Sequence, residues 1–472
     1  MGRQPRQSPV TRSSSSFGLI KRSRTNAPED SKSMALLKRL SWSIRDKDRF
    51  EILVTDLREL NDGLCSILPI QTQVSYRQAL NAAVLSGTDD SSKLAAIEQA
   101  AEPEYPDIAN AARLRAATLG IEEGFQNQLA TLQLKLPRGS VKFLAGRMAS
   151  SDDVQMLGPD ISGKCREFAL YQGTQHGSTP SIGSSTVVVE WKPYDFQAAG
   201  AKAFSIALRA DGLARLLQSS AGQADLRMLP LIGYIDDLPE ARFGFIFQCP
   251  TPRLFGFPNK VKSLNWILTS SPKLPALELR FRLAQNLAKT LFAFHCAQWL
   301  HKDFSSHNIV FASRIGATEE VDSADLARPF VLGFKYSRPE DHEGLSSEIR
   351  AHESDETHLY QHPKLSALES QNSVPRYCRM FDIYALGCVL LELGLWRPLR
   401  SLWKPRYRKE PGNWRTKLVE TWATELRGRC GTQYEEVVRY CLRMDEMAGS
   451  LEADELSRFC WEIVAKLQEL KV

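Results

Sequence analysis

Asp303 and Asn308 lie five positions apart in a short polar stretch between a predicted helix and an apolar segment. Phosphoryl transfer needs a carboxylate that orients the acceptor hydroxyl and an amide oxygen that holds a metal ion on the phosphates. Asp303 could do the first of these and Asn308 the second. The stretch therefore predicts a phosphoryl-transfer site, provided that other elements bring a nucleotide to it.

Lys192 ends a β-branched run over residues 186–192 and is the candidate phosphate-binding cation. A lysine at the end of an apolar strand can bind the α- and β-phosphates of ATP as a point charge. Further strands are predicted over 229–234 and 243–248, followed by helices over 277–299 and 382–393. Strands first and helices second indicate an α+β fold.

Three motifs in this order resemble those of protein kinases. Residues 187–192 resemble the strand with the ATP-pairing lysine, residues 301–311 the catalytic loop, and residues 381–393 the buried helix that begins with an aspartate. The resemblance runs from about residue 180 to 470, is to a divergent fungal group of kinase-like proteins, and predicts a domain over 138–472. It implies a bilobed kinase-like fold, ATP and Mg²⁺ as cofactors, Lys192 as an ATP ligand, Asp303 and Asn308 as catalytic residues, and Asn308 as a metal ligand.

The sequence departs from the kinase pattern where the metal and phosphates would bind. Gly333 aligns with the metal-binding aspartate, and glycine offers no side-chain ligand for Mg²⁺. Residues 193–235 contain no glutamate to pair with Lys192, and the glycines before this lysine lack the phosphate-loop spacing and indicate a flexible loop: Gly163, Gly173, Gly177 and Gly183. These departures favour a pseudokinase that acts as a scaffold.

The alternative is an active, atypical ATP-dependent serine/threonine kinase that uses Lys192, Asp303 and Asn308 on a protein substrate. In that case Glu190 or Asp211 would replace the missing acids. Three residues around the loop have predicted supporting roles. His301 is expected to be a packed structural histidine, His307 to be exposed, and Asp382 to accept hydrogen bonds from the loop backbone and to cap its own helix.

Apolar residues at helical spacing predict an amphipathic helix over 50–67. Weaker helical patterns follow at 75–86 and 91–120, broken by Pro103 and Pro106. Residues 42–50, with Leu60-Asn61-Asp62, resemble the C-terminal part of fungal HeLo-type (prion-inhibition and propagation) domains. The resemblance implies a partial helical bundle over 34–137, a role in incompatibility or cell-death signalling, and protein partners bound through this module. An ordinary helical linker is the other interpretation of the same segment.

Charge and composition bound the remaining classes. Residues 1–33 are basic, serine-rich and poor in apolar residues, which indicates a disordered tail. A net charge of +5 gives no reason to expect nucleic acid, and acidic residues on the polar face of the 50–67 helix disfavour membrane contact. Nine scattered cysteines and the lack of an apolar leader predict a cytoplasmic protein.

Overall fold

The computed structural model describes most of the chain in separate stretches: residues 47–67, 88–102, 106–126, 134–143, 166–172, 185–194, 196–219, 227–249, 261–270, 273–312, 326–340, 356–366, 376–408, 411–447 and 453–470. Three predicted features lie outside these residues: the tail over 1–33, the helix over 75–86 and the glycines of the predicted loop. The chain divides into two compact units, Met1–Ile70 and Gln71–Val472.

In the first unit the structure describes one helix, α1 (Lys47–Ile67), which confirms the helix predicted over 50–67. Several of its described large apolar side chains are more than half exposed, among them Phe50, Leu53 and Leu57.

Two helices begin the described part of the larger unit, α2 (Ser91–Ala101) and α3 (Pro106–Gln126). The helical pattern predicted over 91–120, broken by Pro103 and Pro106, is confirmed in this form: α2 ends at Ala101, and Pro106 is the first residue of α3. Asp90 caps α2 by accepting hydrogen bonds from the amides of Ser92 and Lys93. Leu114 of α3 belongs to the main apolar core, so α3 packs on the rest of this unit. The predicted limits at 34 and 137 stay predictions.

A five-stranded antiparallel sheet follows, in the order β1-β2-β3-β5-β4. Its strands are β1 (Val141–Phe143), β2 (Arg166–Tyr171), β3 (Ser185–Pro193), β4 (Leu231–Asp237) and β5 (Arg242–Gln248). The helix α4 (Phe196–Ser219) connects β3 to β4, and its apolar side packs on the sheet. The predicted strands at 186–192 and 243–248 are confirmed. The strand predicted over 229–234 begins two residues later and extends to Asp237, which pairs with Arg242.

Short strands and a long helix flank the polar loop, which we define as residues 301–308. These elements are β6 (Val261–Ser263), α5 (Leu264–Ser270), α6 (Leu277–Cys296), β7 (Trp299–Leu300), β8 (Ile309–Ala312), β9 (Phe330–Val331) and β10 (Arg338–Pro339). The helix predicted to end at Trp299 ends at Cys296, because Gln298 adopts a φ of 56° and Trp299 pairs with Pro339 in a strand ladder. The order β6-β8-β9 places the loop beside a small sheet.

The rest of the unit is helical. It contains α7 (Pro363–Ser366), α8 (Arg379–Leu395), α9 (Pro411–Lys417), α10 (Ala423–Cys430), α11 (Thr432–Leu442), α12 (Met444–Met447) and α13 (Ala453–Gln468). The central helix α8 is buried along its length, as expected from its apolar sequence. It begins at Arg379 and not at Asp382, so the prediction of Asp382 as its N-cap was wrong. Asp382 lies in the first turn.

Antiparallel sheets and helices in separate parts of the chain give an α+β fold, as predicted. The narrower assignment to a bilobed kinase-like fold stays a prediction. Within the described ranges, no helix combines the length and the apolar character needed to cross a bilayer.

Candidate functional site

The candidate site lies where the five-stranded sheet meets the polar loop. We use the term cleft for the groups contributed by Arg166, Glu190, Lys192, Asp303, Asn308, Gly333 and Lys335, which the contacts below bring together. Strands β2 and β3 supply the first three residues, the loop supplies the next two, and the segment after β9 supplies the last two.

Asp382 restrains the backbone of the polar loop through hydrogen bonds. Its Oδ2 accepts a hydrogen bond from the His301 amide at 2.9 Å, and its Oδ1 accepts one from the Lys302 amide at 2.9 Å. The Tyr377 hydroxyl donates to Oδ1 at 2.7 Å. Because Lys302 adopts a φ of 69°, its backbone needs such an external restraint. The predicted structural role of Asp382 toward the loop backbone is confirmed.

His301 is packed in the interior next to the cleft, as predicted. Its side chain is buried, and Nε2 donates to the Leu332 carbonyl at 3.0 Å. The imidazole packs against the rings of Phe304 and Phe334. Burial lowers the pKa of His301 in spite of the nearby Asp382 carboxylate, so the ring is neutral near pH 7. It is a structural residue of the loop.

Asn308 contacts Asp303 by a hydrogen bond to its backbone carbonyl and not to its carboxylate. The Nδ2 of Asn308 donates to the Asp303 carbonyl at 2.5 Å, which closes the loop. The Oδ1 of Asn308 accepts a hydrogen bond from Nη2 of Arg166. The oxygen that the sequence assigned to a metal ion is therefore occupied by a guanidinium from strand β2.

Arg166 also binds two other oxygens. Its Nε lies 3.1 Å from Oε2 of Glu190, and its Nη1 donates to the His307 carbonyl at 3.2 Å. Both charged side chains are nearly buried, with exposed fractions of 8% for Arg166 and 3% for Glu190. The antiparallel register pairs these two residues directly across β2 and β3.

Glu190, one of the two acids considered as replacements, lies beside Gly333. Its Oε2 accepts a hydrogen bond from the Gly333 amide at 2.8 Å, and its Oε1 accepts one from the Phe334 amide at 2.5 Å. A carboxylate is thus present next to residue 333, although it comes from strand β3.

Gly333 has no room for a side chain. Its φ is 94°, and a Cβ atom would lie 2.4 Å from Cγ of Asn308. We therefore expect Gly333→Asp, which restores the kinase-type acid, to lower the free energy of unfolding by about 2–3 kcal/mol through backbone strain and displacement of Asn308. Urea unfolding measures this loss.

The matched control is Gly412→Asp, because a Cβ at Gly412 meets nothing within 4 Å. This control should change the unfolding free energy by less than about 1 kcal/mol, as at most exposed positions. Equal effects of the two substitutions would contradict the steric account of Gly333.

Lys192 reaches the cleft from the end of β3. Its Nζ donates to the Lys335 carbonyl. Desolvation lowers its pKa to about 8, partly opposed by Glu190 and reinforced by Arg209. Asp211 of α4 does not pair with it: its Oδ2 lies 3.1 Å from Nε of Arg215. Of the two acids considered as replacements, only Glu190 is in the cleft.

The Asp303 carboxylate has a cationic neighbour of its own. Nζ of Lys335 lies 3.8 Å from Oδ2 of Asp303, and both side chains are largely buried. Lys335 therefore lies next to the carboxylate that was predicted to orient the acceptor hydroxyl, that of Asp303.

The cleft does not fit the Mg²⁺ ion that the kinase resemblance implies. Mg²⁺ needs accessible oxygen ligands in near-octahedral geometry. Asn308 Oδ1 is held by Arg166, Asp303 lies beside Lys335, and Gly333 supplies no ligand. We therefore derive no phosphoryl-transfer step through a metal ion. Lys192, Asp303 and Asn308 do lie in one cleft, but their assignments as ATP-binding, catalytic and metal-binding residues stay predictions.

The sequence did not assign Arg166 and Lys335 to the site, and its prediction for His307 differs from the structure. Arg166 was not predicted at all, although the charged Glu190 inside an apolar strand indicated that some cation must pair with it. His307 was predicted to be exposed, and this was wrong. Its Nε2 lies 3.1 Å from Oε2 of Glu356, and the ring packs edge-on against Tyr360.

A buried acid, Glu392 of α8, ties the segment after the cleft to the helical core. Its Oε1 accepts hydrogen bonds from the Tyr360 hydroxyl at 2.8 Å and the Leu399 amide at 2.7 Å. Burial raises its pKa from 4.5 to about 7. Since the folded pKa is above the unfolded one, the stability that this group contributes is full below pH 4.5 and is lost as the pH rises through 7.

We therefore expect Glu392→Gln to become more stable relative to the wild type as the pH rises from 5 to 8. The relative gain should be on the order of 3 kcal/mol, because one pKa unit corresponds to about 1.4 kcal/mol. Urea midpoints of both proteins at the two pH values measure it. Glu278→Gln, which changes an acid that is 70% exposed, is the control. A relative stability independent of pH would contradict the assigned role of Glu392.

Two family models match the chain. Residues 4–97 match the HeLo model, described as prion-inhibition and propagation, and residues 258–470 match a domain of unknown function, DUF7580. The HeLo match includes α1 and most of the described part of α2, and it begins within the segment predicted to be a tail. No curated protein matches the chain. The chain is thus similar to the HeLo model in its N-terminal part and to a domain model of unknown function in its C-terminal part, and the loop, Gly333 and Asp382 lie within the second match.

Proposed function

We propose that residues 138–472 form a protein-kinase-like signalling domain that has lost phosphoryl transfer and acts as a pseudokinase scaffold. In this proposal the domain passes a signal to the HeLo region, which binds protein partners. The protein would act in the cytoplasm, in signalling of the fungal incompatibility or cell-death type that the HeLo resemblance implies.

The proposal rests mainly on one observation: the side-chain oxygens of Asp303 and Asn308 are already in contact with cationic side chains of the protein. The two side chains that would do the chemistry, Asp303 and Asn308, face the internal cations Lys335 and Arg166. A metal–nucleotide complex would have to displace both cations. The position where the kinase pattern has a third acid, Gly333, cannot take a side chain without moving Asn308.

The loop geometry supports a kinase-like origin for this cleft. Asp382 receives the amides of His301 and Lys302, and Asn308 closes the loop on the Asp303 carbonyl. These contacts maintain the shape of the loop, whereas the groups for metal binding are absent or engaged. A scaffold under selection for shape, and not for catalysis, would have this combination.

Transfer of radiolabelled phosphate from ATP tests the proposal. The full chain is incubated with Mg²⁺ or Mn²⁺ and a general protein substrate, beside Asp303→Asn and Lys192→Ala. We expect the wild type to incorporate no more label than either variant. Incorporation that both substitutions abolish would overturn the proposal and support the alternative, an active atypical kinase using Lys192, Asp303 and Asn308.

A further inference from the structure

The position of Arg166 in the cleft was predicted neither by the kinase pattern nor by the departures from it. Its three guanidinium nitrogens bind three different oxygens: the Glu190 carboxylate, the His307 carbonyl and the Asn308 amide oxygen. Carboxylate, carbonyl and amide oxygens are the ligands that hard divalent cations prefer. A guanidinium thus lies at the centre of an oxygen set suited to a metal ion.

The acid in this set is placed where the kinase pattern needs one. Glu190 accepts the backbone amides of Gly333 and Phe334, so its carboxylate lies at the residue that lacks an acid. The missing carboxylate is therefore supplied from β3, across the cleft. Its charge is nearly buried, and a buried carboxylate is stable only with a cation or several donors around it.

The register of the sheet explains why an arginine supplies that cation. Arg166 is directly opposite Glu190 in the β2–β3 ladder, so the two side chains are on the same face and neighbouring. The planar fork of arginine can bind the carboxylate and still reach the loop, which a lysine ammonium cannot do. The pairing also joins the sheet to the loop at His307 and Asn308.

We propose that the Arg166 guanidinium is a built-in replacement for the metal ion, and that Glu190 and Asn308 form a divalent-cation site once this guanidinium is removed. The inference rests on the proposed kinase-like function of the cleft and specifies how the cleft became independent of metal. A simple structural ion pair makes a different prediction, since removing its arginine would leave an unpaired acid and no cation site.

Binding of Mn²⁺ to the full chain, followed by electron paramagnetic resonance, tests the inference. The proteins are the wild type, Arg166→Ala, and Arg166→Ala combined with Glu190→Gln. We expect Arg166→Ala to gain one Mn²⁺ bound at least ~10-fold more tightly than any site of the wild type, a difference of about 1.4 kcal/mol. The double variant should lose this site.

Two further variants control for non-specific effects. Arg113→Ala releases Glu98 from an ion pair at 2.7 Å outside the cleft, and it should gain no Mn²⁺ site. Arg166→Lys retains a positive charge and should bind no Mn²⁺ either. If Arg166→Ala does not fold, Arg166→Gln removes the charge with less loss of volume and takes its place in the titration.

Each outcome bears on one claim. A variant without Arg166 that folds but binds Mn²⁺ no better than the wild type or Arg113→Ala would overturn the inference and leave a structural ion pair. Retention of the new site after Glu190→Gln would also overturn it. These results would not affect the proposed loss of phosphoryl transfer, which fails only if the wild type transfers label in a manner dependent on Asp303.

Discussion

Replacing Arg166 by alanine is expected to lower the free energy of unfolding by about 3–5 kcal/mol, the range for breaking a buried ion pair on one side. The substitution leaves Glu190 charged and nearly buried, with only the amides of Gly333 and Phe334 as donors. It also removes the partner of Asn308 Oδ1, so the loop loses its direct bond to the sheet.

Urea unfolding followed by tryptophan fluorescence measures this loss, because Trp191 and Trp299 are both buried in the larger unit. A double-mutant cycle with Glu190→Gln separates the pair from its surroundings. The neutral glutamine should recover part of the loss when combined with Arg166→Ala.

Arg113→Ala is the matched control. It breaks an ion pair of similar length, 2.7 Å, whose side chains are 34% and 28% exposed. Partly exposed pairs contribute about 0–1 kcal/mol. If Arg166→Ala were as mild as this control, the guanidinium would not be the main contact between the sheet and the loop.

Asp382→Ala is expected to have a comparable or larger effect, about 5 kcal/mol, and could prevent the larger unit from folding. The carboxylate is fully buried and accepts hydrogen bonds from two loop amides, the Tyr377 hydroxyl and His295 Nε2. Each buried donor that is left unsatisfied costs about 1–3 kcal/mol. Tyr377→Phe, which removes one donor only, should cost about 1 kcal/mol.

The Asp382 carboxylate also gives the larger unit an acid-sensitive contact. Burial acts to raise its pKa, but the hydrogen bonds and electrostatic interactions with His295, His301 and Tyr377 outweigh burial, so the pKa is lowered from 3.8. Because the folded pKa is lowered, the stabilisation is present above the unfolded pKa and is lost as the pH falls through the folded one. Asp382→Asn should therefore cost most above about pH 4 and progressively less below it. A penalty that does not change with pH would contradict this assignment.

The local part of the site was predictable from the sequence. The spacing of Asp303 and Asn308 keeps the two residues close, because a loop this short has few conformations. In the structure, Nδ2 of Asn308 donates a hydrogen bond to the Asp303 carbonyl. The loss of a metal ligand at position 333 was also predictable, since the glycine that replaces the kinase aspartate has no side-chain ligand atom. The structure adds the reason that the position tolerates nothing else, its φ of 94° and its proximity to Asn308.

The long-range part of the site was not predictable. Arg166 contacts Asn308 across 142 positions, and this depends on the register of β2 against β3. Hydrophobic alternation indicates which face of a strand is buried, but it does not specify which residue lies opposite Glu190. The ends of α6 and α8 were misplaced for a similar reason, because pairing of Trp299 with Pro339 and burial of Arg379 are tertiary effects.

The central claim is that internal cations have replaced the metal and nucleotide in the cleft. The most direct test is the melting temperature of the full chain with ATP alone, with ATP and Mg²⁺, and with ATP and Mn²⁺, beside Lys192→Ala. A ligand at ~100 times its dissociation constant stabilises a fold by about 2.7 kcal/mol, so even moderate binding would be visible. We predict that the melting temperature under all three conditions equals that of the ligand-free chain. A metal-dependent increase that disappears in Lys192→Ala would contradict the account and show that the cleft binds a metal–nucleotide complex.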